Sequence, residues 1–394
     1  ALEKVGADRL LAGIATAHYI PPSRVVPQIS PFIDRLLQDV LQRDPARRPT
    51  AADLERRLTD QETGAWWRGE VEFGPSERRG GSGERDASHR TPLVGREREM
   101  ATLLSVHEAA ARPSVNEPSA ARGAAVWIRG APGSGKSRLV NEFAARARMG
   151  EDPPLFLYGR CRELEEERPA QPILRLVERY LRLPQNAPPG PREIAILERL
   201  VPPKAVETVA RALDPSAEGA TPLAVPAALG LLLAALGKSI PLLVFLDDLN
   251  WAGDETLDVL AYLSGKLAGT RTVLVLGERL GAPAHRPERL DELKKRLEAG
   301  PGLVQIDLSE LDENAVEALV GAMFHHSAPR LRLARVLWER SRGNAGLISE
   351  ILRGLVARGE AVPHEDGSGL VLTISPDDLP LPGSLKAAIA DSYR

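Results

Sequence analysis

Apolar residues fall into two kinds of pattern along this chain. Short unbroken runs recur after residue 123: AAVWI (124–128), LFLY (155–158), LLVFL (242–246), TVLVL (272–276) and LVQI (303–306). Such runs predict strands buried on both faces. Between them, apolar residues recur at helical spacing, as over 137–147 and 256–267. Strands alternating with helices predict an α/β fold, a parallel five-stranded sheet flanked by helices. From 312 to 358 the pattern is helical only, and VPHEDGSGLVLTI (362–374) reads as a hairpin.

Residues 1–70 are helical in pattern. Ser30 is placed to cap a helix with Pro31 at its first position. Phe32, Leu36, Leu37, Val40 and Leu41 follow at helical spacing, and Thr50 with Asp53 forms a capping-box pair ahead of Leu54 and Leu58. Large aliphatic residues are missing from GPSERRGGSGERDASHRTP (74–92), which predicts a flexible linker.

Composition narrows the classes. Apolar residues make up 43% and charged residues 27% of 394, as in a globular protein. A net charge of −3 supplies no global basic field for nucleic acid or membrane. Cys161 is the only cysteine, so no intrachain disulfide forms, and a cytoplasmic location is expected. The longest apolar run, Leu223 to Gly237, is shorter than the ~20 residues that span a bilayer. The chain opens at Ala1 and ends at Arg394 inside a helical pattern, and is expected to be a segment of a longer protein.

The chemistry begins at GAPGSGKS, residues 130–137. It fits G-x-x-x-x-G-K-S/T and stands between a predicted strand and a predicted helix, the context that gives this pattern meaning. Glycines let the backbone curl so that amides point at phosphate oxygens, and the helix adds its positive end. Lys136 is expected to reach the β- and γ-phosphates, and the Ser137 hydroxyl to ligate Mg²⁺. The candidate nucleotide-binding residues here are Gly130, Pro132, Gly133, Ser134, Gly135, Lys136, Ser137 and Arg138.

LLVFLDD (242–248) is a buried run ending in two carboxylates. Strand ends of parallel sheets point at the ligand crevice. Asp247 is expected to hold Mg²⁺ and Asp248 to polarise the attacking water as general base. The pair also reads as a loop opening, with Asp254 capping the next helix. Arg279 ends the following strand at the same edge, where a cation either senses the γ-phosphate or is an ordinary surface arginine.

Other groups carry less. His325 and His326 are adjacent and diverge on a helix, so a shared metal site is not expected. Cys161 reads as a small buried residue. The arginines at 330, 332, 335, 340 and 342 read as a solvated face, with DNA or nucleotide phosphates as alternatives. Trp66 and Trp67 read as anchors of the first segment or as a docking point for a partner.

Taken in order, PLVGRERE (92–99), GAPGSGKSRLV (130–140), GRCRE (159–163), FLDDLNWAGDETLDVLAYL (245–263), VLGER (275–279) and GNAGLISEIL (343–352) resemble the AAA-type ATPase module of STAND-class signalling ATPases of bacteria. The resemblance implies a P-loop core over 92–310, a helical lid over 311–360 and the start of a winged helix over 361–394. It implies that Val94, Gly95 and Arg96 pack near the adenine, that Arg279 contacts the γ-phosphate and that Asn344 of a lid motif lies near the nucleotide. That motif reads Gly343, Asn344, Ala345 here, with alanine where the family carries proline, and Gly253 stands where relatives carry aspartate. ATP, ADP and Mg²⁺ are the implied cofactors, with slow ATP hydrolysis and self-association on ATP binding.

RDPARRPT (43–50), with the preceding YIPPSRVVPQISPFIDRLLQDVL (19–41), resembles the last helices of a bacterial serine/threonine protein kinase. That resemblance implies a kinase domain in cis, with residues 1–70 its C-terminal helices and 71–91 the linker. It implies that Arg48 pairs with a glutamate of the activation segment. The glycine-rich loop, ATP lysine, H-R-D and D-F-G that phosphotransfer requires do not occur in these residues, so kinase activity is not expected of them. The function expected is an ATP-dependent regulatory switch in a kinase-linked signalling protein. The alternatives are an ATP-controlled DNA-binding transcription regulator and a parent protein that is itself an active kinase. No membrane partner is expected.

Overall fold

A computed structural model describes residues 36–37, 39–41, 48–60, 93–111, 122–150, 152–163, 168, 170–183, 187–214, 216–217, 224–300, 302–324, 330–364 and 369–379. The chain divides into two compact units, 1–80 and 81–394. In the first, α1 (Ala51–Asp60) starts where Thr50 and Asp53 cap each other. Thr50 Oγ1 accepts from the Asp53 amide and Asp53 Oδ2 from the Thr50 amide, each at 3.2 Å. Two amides that helix bonding leaves orphaned are thereby satisfied. Arg57 of α1 pairs with the buried Asp39 at 2.8 Å. Ser30, Pro31, Trp66, Trp67, His325, His326 and the predicted linker lie outside the described residues.

The second unit opens with α2 (Glu97–Ala111), β1 (Ala124–Gly130), α3 (Lys136–Ala147) and β2 (Leu155–Arg160). Four helices follow: α4 (Gln171–Leu181), α5 (Pro191–Leu200), α6 (Pro203–Leu213) and α7 (Ala224–Ser239). Then come β3 (Leu242–Asp247), a 3₁₀ turn at Leu249–Trp251, α8 (Asp254–Ser264), β4 (Thr272–Arg279), α9 (Pro287–Ala299) and β5 (Leu303–Leu308). All five predicted strands form. Asp254 is the first residue of α8 rather than its cap; Gly253, extended at φ −78°, takes that place.

The sheet is parallel, in the order β2-β3-β4-β1-β5. Its core splits by strand parity. Val126, Ile128, Leu243, Phe245, Val273 and Val275 pack with α2 and α3. Ala125, Trp127, Val244, Leu246, Leu274 and Leu276 pack with α4 to α9. Covering both faces explains why the strands read as unbroken apolar runs. The chain leaving β1 crosses β4 and β3 to reach β2, and such a switch in order opens a crevice at the carboxyl ends of the strands. There, Gly130 is the register neighbour of Arg279, and Arg160 of Asp247.

Among the described residues three further helices follow: α10 (Glu313–Met323), α11 (Arg330–Ser341) and α12 (Ala345–Ala357). They share their own apolar cluster, built on Val316, Leu337 and Ile348. The predicted hairpin forms as β6 (Ala361–Pro363) against β7 (Leu370–Leu372), antiparallel. Part of the basic stretch is engaged inside the unit. Arg332 pairs with Asp377 at 2.6 Å, and Arg340 donates to the Asp377 carbonyl at 2.9 Å and to that of Leu379. No described helix is long and apolar enough to cross a membrane.

Candidate functional site

The loop between β1 and α3 curls at Gly133 and Gly135, with φ +81° and +96°, a left-handed region open to glycine. α3 then starts at Lys136, so its N-terminal amides face the loop's hollow. Lys136 is only 6% exposed. Its Nζ donates to the Gly130 carbonyl at 2.7 Å and to that of Ala131 at 3.1 Å. Burial lowers its pKa, while Asp247 and Asp248 pull the other way. Arg138 lies in the first turn of α3, half-buried. Ser134 Oγ is buried without a hydrogen-bond partner, a polar atom left over in the loop wall.

Asp247 ends β3 at 4% exposure and accepts from Ser137 Oγ and, at 2.9 Å, from the Asp248 amide. Burial raises its pKa, partly offset by the Ser137 hydrogen bond. A hydroxyl and a carboxylate in contact, beside a buried lysine and a helix N-terminus, fit a magnesium–nucleotide donor set. Among the described residues no group of three His, Cys, Asp or Glu forms another metal site.

Asp248 and Arg279, expected to face a water and a phosphate, face each other. Arg279 Nη2 donates to Asp248 Oδ2 at 2.6 Å and its Nε to Oδ1. Arg160 Nε donates to the same Oδ2 at 2.6 Å. Burial opposes ionisation of Asp248, but the bonds from Arg279 and Arg160 outweigh it and hold its pKa below the ordinary carboxylate value. In this arrangement Asp248 is an ion-pair acceptor and a poor base.

The Arg279 backbone is also held. Asn250, 2% exposed, accepts from the Arg279 amide at 2.7 Å and donates to the carbonyls of Arg279 at 3.1 Å and Ala282 at 3.2 Å. Asn250→Ala leaves these groups unpaired, so stability to urea is expected to fall by about 3 kcal/mol. Unchanged unfolding would mean that water replaces the amide.

Helix α12 reaches the loop through its cap and its first turn. Asn344 Nδ2 donates to the Pro132 carbonyl at 2.8 Å, and the Gly346 amide to that of Gly133 at 2.7 Å. Residue 345 supplies neither of these two donors. Val94 packs against the apolar cluster of α10 to α12. Gly95 donates its amide to Glu97 at 3.1 Å, and the buried Arg96 donates to the carbonyls of Ser134 and Ser309. Cys161 is buried in the core, its amide bonded to the Asp247 carbonyl at 3.0 Å.

Sequence reasoning missed Arg160 and Asn250. Arg160 had a usable signal: it ends a strand at the same edge as Asp247, just as Arg279 does. Asn250 had a weaker one, a lone amide after the paired carboxylates.

The family model of the AAA ATPase domain matches residues 92–276. That segment, a little under half of the chain, is similar to an AAA ATPase domain. No curated protein matches the chain. Among solved structures it is similar to a Signal Transduction ATPase with Numerous Domains (STAND) protein with a tetratricopeptide repeat sensor from Pyrococcus horikoshii, at 12% identity and TM-score 0.37, covering 65% of this chain and 29% of that one. It is similar to a Walker-type ATPase of Pyrococcus abyssi, at 14% identity and TM-score 0.42, covering 68% and 69%. It is also similar to the Aeropyrum pernix Orc1 protein in complex with DNA, at 15% identity and TM-score 0.38, covering 77% and 66%. The chain therefore spans less than a third of the STAND protein's length.

Proposed function

We propose that this chain is an ATP-binding, slowly hydrolysing regulatory switch of STAND type, working in a multidomain bacterial signalling protein linked to a serine/threonine kinase. The observation that carries the reading is the convergence of Lys136, Ser137 and Asp247 at the carboxyl edge of the sheet. Phosphates of the nucleotide lie in the loop Gly130–Ser137, where backbone amides and Lys136 receive their charge. Magnesium bound by Ser137 and Asp247 supplies charge stabilisation at the phosphate oxygens. Asp248 acts on the attacking water only once Arg279 has turned away from it.

The lid, 311–360, is the element whose position the nucleotide biases. Its Asn344 and Gly346 contacts with the loop support that role, since a lid touching the phosphate loop feels what the loop holds. Val94, Gly95 and Arg96 line the adenine side, and Arg96 ties them to the loop. Residues 1–70 are the kinase-like end, joined in cis through 71–91, and 361–394 begin a winged helix. Self-association on ATP binding and a cytoplasmic location complete the reading.

The test is nucleotide binding and turnover by the purified chain. Asp247→Asn is expected to retain ADP binding in chelator and to lose magnesium-dependent ATP hydrolysis about a hundredfold, as for loss of a charge-stabilising group. Undiminished turnover in that variant would remove Asp247 from the site. Chelating magnesium from the unaltered protein should stop hydrolysis in the same way.

A further inference from the structure

We infer that Arg160 is a positioning residue for the nucleotide switch: it keeps Asp248 paired when Arg279 leaves that carboxylate for the terminal phosphate of ATP. The inference rests on the nucleotide-binding reading above and adds the means by which the site tells ATP from ADP.

Asp248 is almost fully buried, and its backbone is left-handed, φ +57°, at the carboxyl end of β3. Its two oxygens are fixed in place and cannot turn to water without cost. Two guanidiniums meet on it from opposite neighbours in the sheet, Arg160 from the end of β2 and Arg279 from the end of β4. They share Oδ2, while Oδ1 is bonded, among the described residues, by Arg279 alone. If Arg279 were the sole cation, its departure would strand a buried carboxylate, which is strongly unfavourable. With Arg160 in place, Oδ2 keeps a charged donor throughout.

The two arginines differ in the way this division of labour needs. Arg279 is the register neighbour of Gly130, the first residue of the phosphate loop, and the Leu280 amide donates to the Gly130 carbonyl at 3.1 Å. Asn250 clamps its backbone, so only its side chain is free to swing between carboxylate and phosphate. Arg160 stands on the far side of β3 from the loop strand, and its side chain is 48% exposed. It keeps much of its hydration in either state and has no reason to follow the nucleotide. ADP lacks the group that would draw Arg279 away, so both arginines stay on Asp248. ATP binding therefore carries the cost of releasing Arg279, and Arg160 sets that cost.

The experiment is a titration of the full chain with ADP and with a non-hydrolysable ATP analogue, both with magnesium. Arg160→Ala is expected to weaken the analogue about tenfold, within the usual size of a coupling between sites, and to leave ADP binding unchanged. Arg160→Lys restores most of the difference. In an Asp248→Asn background, where no charge needs holding, Arg160→Ala changes neither affinity. Should Arg160→Ala not fold, Arg160→Gln, which drops the charge but keeps a polar side chain, is read in the same way. Equal weakening of both nucleotides, no weakening, or a loss that persists with Asp248→Asn overturns the inference; the last would make Arg160 a direct phosphate ligand. If the unaltered chain binds neither nucleotide, the nucleotide reading itself fails, a different result from binding without the selective loss.

Discussion

Lys136→Ala is expected to weaken ADP binding by about a hundredfold, close to 3 kcal/mol, the size of one or two hydrogen bonds to a charged group in a shielded site. The reason lies in how Lys136 is held. Its ammonium is buried and held by the carbonyls of Gly130 and Ala131, the two residues that lead into the loop. Burial works against its charge, and the nearby carboxylates Asp247 and Asp248 sustain it. A phosphate offers that ammonium a better partner than two neutral carbonyls, so the exchange favours binding. Alanine removes both the charge and the bonds to the loop carbonyls. Lys136→Met keeps the stem, and should lose nearly as much affinity while disturbing the loop less. Calorimetric titration of both variants, with circular dichroism to confirm folding, checks the expectation. Retention of unaltered ADP affinity would falsify the assignment of this loop as the phosphate site.

Much of this site was legible because it is local in sequence. The loop Gly130–Ser137 joins consecutive elements, so its spacing is its geometry. Asp247 and Asp248 end an apolar run, and a buried strand has one end at the crevice. The strands were legible for a related reason: with both faces covered, residues such as Leu242 to Leu246 cannot alternate with polar ones. What the pattern did not carry is non-local. Which strand neighbours which depends on crossovers, so Arg160 and Arg279 were not seen to flank Asp248. An ion pair between residues 160 and 248 leaves no periodic trace. The contact of Asn344 with Pro132 joins residues far apart in the chain, and proline or alanine at 345 says little about it.

Gly343→Ala is expected to undock the start of α12, the proposed lid, from the loop Gly130–Ser137. Gly343 has φ +80°, and a Cβ there would fall deep inside the Leu311 carbonyl oxygen, which is backbone and has nowhere to go. The left-handed conformation and the clash together cost about 3 kcal/mol. The carbonyl of Gly343 also accepts the Leu311 amide at 2.9 Å, so the turn before α12 is tied to the segment leaving β5. Shifting that turn moves Asn344, the cap of α12, whose side chain accepts from the Leu347 amide and donates to Pro132. Hydrogen exchange at the start of α12 should accelerate about a hundredfold, in step with that energy. Gly269→Ala is the control. Its φ is +83°, but no atom lies within 4 Å of the added carbon, so only the conformational cost of about 1 kcal/mol applies. Its effect should fall on the turn before β4 and spare α12. Equal acceleration at α12 in both variants would mean that the left-handed backbone, and not the close approach to Leu311, holds the lid. Acceleration in Gly343→Ala alone ties lid position to the two carbonyls of the phosphate loop, and ADP binding measured on the same variant then reports what that contact contributes to the nucleotide.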